Sequence, residues 1–257
     1  MTGIAERVSV PGEPAEPVAR PRFWRGADFQ TVARWLTIGA AAGGLSGFVI
    51  GGIGGRLAML LLRVTSDDSV RGIESDDGFI IGRFDFVSTL QLLGVTTLMG
   101  CIVGLIIVAG RPFFPKRGMP FAWAAAGAIV GGGILIHHDG VDFTVLEPHW
   151  LAIALFIAIP AAGAGLIAWL VELYPGFWVR NRVLTALACV FVLPVIIFFP
   201  IALAAILVGA IFWLFMQVPK LRTFPAWRPA RIAAIVVFGL IVALGAVDLT
   251  SDVTTIL

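Results

Sequence analysis

The chain has 257 residues, of which 59% are hydrophobic and 13% charged, with a net charge of +2. Soluble domains hold about 45–50% apolar and about 25% charged residues, so neither a soluble globular domain nor a disordered chain fits. The composition is that of an integral membrane protein with the lipid bilayer as its first partner and no nucleic acid expected; the net charge says little, because the charges are segregated by loop.

Residues 1–34 carry Pro11, Pro14, Pro17 and Pro21 with five Arg and four Asp or Glu, and no apolar periodicity. They predict a disordered cytoplasmic tail ahead of a transmembrane helical domain over 35–257. No short apolar core with a small-residue cleavage site is present, so the start does not read as a secretory signal peptide. Phe23-Trp24-Arg25 and Arg34-Trp35 have the aromatic and basic mix of a membrane interface.

The first helix is predicted over about 35–62. Its glycines recur every four residues, at Gly39, Gly43, Gly47, Gly51 and Gly55. Positions i and i+4 share a helix face. Five glycines in that register make a groove without side chains, where a neighbouring backbone can approach closely. These five are the candidate helix-packing residues, and the helix carrying them reads as the buried strut of the bundle. Past Gly54-Gly55 the apolar run continues through Arg56 to Leu62. Either the helix is long and tilted, or it breaks at the glycine pair and continues along the interface. Arg56 then either snorkels to headgroups or faces the interior and pairs with a carboxylate.

An acidic extracytoplasmic loop over about 63–87 follows, with Asp67, Asp68, Glu74, Asp76, Asp77 and Asp85 against Arg63, Arg71 and Arg83. Asp77-Gly78 before a β-prone run predicts a turn and a small extended segment. The paired aspartates read as turn caps in a solvated loop or as hard oxygen ligands for a Ca²⁺-type ion, without EF-hand spacing. A second helix over 87–109 carries Gln91, placed to hydrogen-bond across helices, and Gly100 and Gly104 at GxxxG spacing. A glycine-rich third helix is predicted over 120–136.

All three histidines fall within 137–149, as His137, His138 and His149, among Asp139, Asp142 and Glu147. Histidine and carboxylate are zinc-type ligands, so His137, His138, Asp139, Asp142 and His149 are the candidate metal ligands. The alternative is an ordinary polar loop opening the next helix. Cys101 and Cys189 each lie inside an apolar run and read as packing residues.

The fourth helix is predicted over 150–173, with Pro160 placed to kink it. The apolar run 183–218 as one helix would be about 54 Å long, against a hydrocarbon core of about 30 Å. It is therefore split at Phe198-Phe199-Pro200 into helices over 183–198 and 200–218. A seventh helix over 230–247 leaves a short C-terminal tail. The fold class is thus an all-α polytopic transmembrane bundle of seven helices. Charge agrees with that count: the connections after the second, fourth and sixth helices hold nine Lys or Arg and one acid, Glu172. The opposite connections and the C-terminus hold three Arg and eleven Asp or Glu from residue 63 onward. Positive charge marks the cytoplasmic side, so the N-terminus is inside and the C-terminus outside.

Gly55-Arg56-Leu57-Ala58-Met59, Ser75-Asp76-Asp77-Gly78-Phe79-Ile80-Ile81-Gly82 and Asp142-Phe143 are similar to an uncharacterised family of actinobacterial multi-pass membrane proteins, over roughly residues 50–175. The resemblance implies a bacterial plasma membrane and no known activity or cofactor. It favours Arg56, Asp76 and Asp77 over the His-His pair as functional positions; with Gln91 they are the candidate functional polar residues. Three roles follow. The first is a scaffold or accessory subunit, non-enzymatic and without a cofactor, bound to a membrane-protein partner or to copies of itself. The second is a small-solute or ion transporter or channel. The third is a metal-dependent membrane enzyme, for which no HExxH or GxSxG motif is present.

Overall fold

The computed structural model describes residues 29–75, 80, 85–111, 113–114, 118–177 and 228–257. The helices expected over 183–198 and 200–218 lie outside the described residues. Those described are helical, apart from connections and one isolated antiparallel bridge between Glu74 and Ile80. Ile80 lies in the run expected to be extended. Among the described residues, four helices are long and apolar enough to cross a membrane.

The chain enters through a continuous rod: α1 (Phe29–Ser46), a π-helical stretch π1 (Gly47–Gly54) and α2 (Gly55–Thr65). Its start lies six residues ahead of Trp35. The break considered at Gly54-Gly55 does not occur, because both residues keep right-handed helical angles. The π stretch has a physical reading. An i, i+4 series drifts by about 40° per step around an α-helix. The wider turns of a π-helix, closed by i→i+5 bonds, counter that drift and keep one strip of glycine facing one neighbour.

That neighbour is α3 (Phe86–Gly110). Asp85 starts it as N-cap, accepting from the Ser88 backbone N–H at 2.8 Å and from the Ser88 hydroxyl at 2.6 Å. A methyl group placed on Gly39 would lie 2.8 Å from the Gly104 carbonyl oxygen. One on Gly43 would run into the Gly100 carbonyl, and one on Gly47 into that of Thr96. The contact is reciprocal: a methyl on Gly100 or Gly104 would strike the carbonyl of Gly43 or Gly39. Gly51 lies over the Thr96 side chain, whereas Gly55 only reaches a methyl of Leu92, at 3.9 Å.

Next come α4 (Met119–Ala126), π2 (Gly127–Gly131) and α5 (Gly132–Leu135), also one rod. Gly118 supplies the left-handed entry at φ 78°, and Pro120 opens the first turn. After the single turn α6 (Val141–Thr144), helix α7 (His149–Phe177) returns. Pro160 in the middle of α7 cannot donate a backbone hydrogen bond and presents its ring to the neighbour. Glycine makes the room: a methyl on Gly131 would lie 2.5 Å from the Pro160 Cβ, and one on Gly127 would strike the Pro160 carbonyl.

Helix α8 (Arg228–Ile256) corrects the expectation for the last helix, continuing nine residues beyond 247. The polar stretch read as a tail is helical, and its hydroxyls turn back onto carbonyls of the same helix. Thr250 donates to the Ala246 carbonyl at 2.7 Å, Thr254 to Thr250 at 2.8 Å and Thr255 to Ser251 at 2.8 Å. Thr–carbonyl bonds of this kind need no tertiary partner.

The core divides in two. Ile38, Trp123, Ile167 and Val171 centre one apolar cluster, and Leu62, Ile136, Phe143 and Ile153 centre the other. The rod from Met119 to Leu135 has only 17 residues yet joins both clusters, with Met119 in the first and Ile136, next after Leu135, in the second. Between the clusters lies a waist of glycine and proline backbone. Charge separates along the same axis. Arg111, Glu172, Arg228 and Arg231 lie at the first cluster's end, and Arg63, Asp68, Asp139, Glu147 and Asp252 at the other.

Gly43→Val should destabilise the protein by about 1–3 kcal/mol or more, because the Gly100 carbonyl it would strike belongs to helix backbone. Gly94→Ala, where a methyl meets nothing within 4 Å, should be neutral or stabilising by about 0.5–1 kcal/mol. Thermal unfolding of both variants in detergent measures this, and equal melting points would contradict the crossing.

Candidate functional site

Three polar constellations stand out, one at the waist and one at each end. At the waist, Ser46 ends α1 fully buried, and its hydroxyl donates to the Gly163 carbonyl of α7 at 2.9 Å. The small residue at 163 brings that carbonyl within reach. Ser46 thus ties the glycine-bearing rod to a second neighbour besides α3.

At the basic end, Arg111 follows the last residue of α3 and lays its guanidinium over the Trp35 ring, with Cζ 4.4 Å from the ring centroid. Its Nε and Nη1 are shielded from solvent. Burial lowers the Arg111 pKa from its usual value, and the negative charge of Glu172 opposes that shift. An arginine remains cationic under any such shift. Arg231 near the start of α8 donates from Nε to the Phe113 carbonyl at 3.1 Å. Below it Phe238 packs edge-on against Phe114 and Trp123, with ring centroids 5.0 and 5.1 Å away. Arg231 and Phe238 together fix the basic end of α8 against the α3–α4 connection.

At the acidic end, Ser66 caps α2 and exchanges two bonds with Glu147. Its hydroxyl donates to the Glu147 carbonyl at 2.8 Å and accepts from the Glu147 N–H at 3.0 Å. Asp68 Oδ1 takes both Arg63 and Arg71 at 2.9 Å. Asp67 accepts from the Ser69 N–H at 2.8 Å, and that hydrogen bond holds its carboxyl below the usual range. The first aspartate pair therefore works as turn cap and ion-pair centre. His138 Nδ1 lies 2.8 Å from Asp252 Oδ1, joining the connection after α5 to the last turns of α8.

The candidate residues fall apart in instructive ways. Arg56 sits in the first turn of α2, half-buried, with Nε and Nη2 shielded from solvent. Gln91 lies on an exposed face of α3, and Asp76 and Asp77 lie outside the described residues. The histidines diverge although they are close in sequence. His138 goes to α8, His149 Nδ1 meets the Leu146 carbonyl at 3.0 Å, and His137 and Asp139 are exposed. Asp142 is buried within α6. Among the described residues no three His, Cys, Asp or Glu side chains converge as metal ligands.

No family model matches the chain. No curated protein and no solved structure matches it either.

Sequence reasoning missed Ser46, Ser66, Asp252 and the Arg111–Trp35 pair. Each of their contacts joins residues far apart in the chain, and none has a periodic signal. Ser46→Ala should cost about 0.6–1.7 kcal/mol, the range for hydrogen bonds between helices in lipid. The check is reversible unfolding in mixed micelles; a cost above that of Gly43→Val would reverse the ranking of the two contacts.

Proposed function

We propose that this chain is a non-enzymatic scaffold or accessory subunit of a bacterial plasma membrane. It crosses seven times, with the N-terminus in the cytoplasm and the C-terminus outside. The observation that carries the reading is the contrast between α3 and α8. The interior around α3 is closed by backbone contact at Gly39, Gly43, Gly100 and Gly104. By contrast, α8 is apolar along a membrane-length span, none of which is buried among the described residues. A closely packed frame bearing an open apolar helix suits a protein that offers a surface to a membrane partner or to another copy of itself.

The topology has its own support. Helix α7 carries Ile167 and Val171 into the first cluster near its end, and α8 begins at that same basic end. An even number of crossings between them satisfies this geometry, and the two helices expected over 183–198 and 200–218 supply it. The basic end then faces the cytoplasm, in agreement with the positive-inside rule. The plasma-membrane assignment rests on the resemblance noted above.

Purification in mild detergent should yield a stoichiometric complex or a homo-oligomer by native mass spectrometry. Gly239, exposed on α8 with nothing within 4 Å of an added methyl, is the place to disturb it. Gly239→Leu should weaken association roughly tenfold or more, about 1.4 kcal/mol, with the melting point of the monomer unchanged. A monodisperse wild-type monomer with nothing bound would contradict the proposal. A reporter fused after Leu257 should be active only outside the cytoplasm; cytoplasmic activity would overturn the orientation.

A further inference from the structure

We draw no further inference here: the strongest candidate, the Glu172 carboxylate at the basic end of the bundle beside the Arg111–Trp35 stack, has one oxygen shielded from solvent without a hydrogen bond, and nothing among the described residues shows what group would meet it.

Discussion

Two helices that touch through their backbones define this molecule. In lipid, burying an apolar side chain against another helix gains little over burying it against acyl chains. What remains is dispersion between closely approaching surfaces, and closeness is limited by Cβ atoms. Gly39, Gly43 and Gly47 on one helix and Gly100 and Gly104 on the other remove that limit from both sides at once. The π1 stretch extends the contact by keeping Gly51 turned toward the same partner. Gly127 and Gly131 repeat the solution for Pro160, whose ring and carbonyl need the space.

Once the waist is closed by backbone, the remaining elements have defined places. The two apolar clusters lie above and below it, each sealed by aromatic side chains. Polar side chains in the described bundle serve as ties between elements: Ser46 to Gly163, Ser66 to Glu147, Arg231 to Phe113 and His138 to Asp252. Three of these four use a backbone carbonyl, which is always present and needs no matching side chain to evolve with it. The exception, His138 with Asp252, joins two side chains, at the end where Leu249, Val253 and Ile256 also pack on the second cluster.

The glycine register was legible because it is a one-dimensional property: one residue type at one spacing on one helix. Its partner was not, since Gly100 and Gly104 formed one of several small-residue surfaces in the chain. The π-helical segments had no signal at all; they emerge from how a drifting face is held against a neighbour. The end of α8 was misread because Asp248-Leu-Thr-Ser-Asp252 has the composition of a tail, while the apolar residues that seat it, Leu249, Val253 and Ile256, are spaced among polar ones and pack on the second cluster. The histidine cluster left two readings open, a metal site and an ordinary polar loop. Closeness in sequence suggested convergence, but a turn at 137–140 and the start of α7 send His138 and His149 to different partners. Asp76 and Asp77, and the helices over 183–198 and 200–218, lie beyond what the structure describes.

The backbone crossing can be read directly by solid-state NMR of the protein in lipid bilayers with only the glycine Cα atoms labelled. A methyl on Gly100 would sit 2.9 Å from the Gly47 Cα, and one on Gly104 would sit 3.1 Å from that of Gly43. Through-space cross-peaks joining Gly47 to Gly100 and Gly43 to Gly104 are the result this account predicts. Their absence, with those glycines in contact with lipid acyl chains instead, would contradict it.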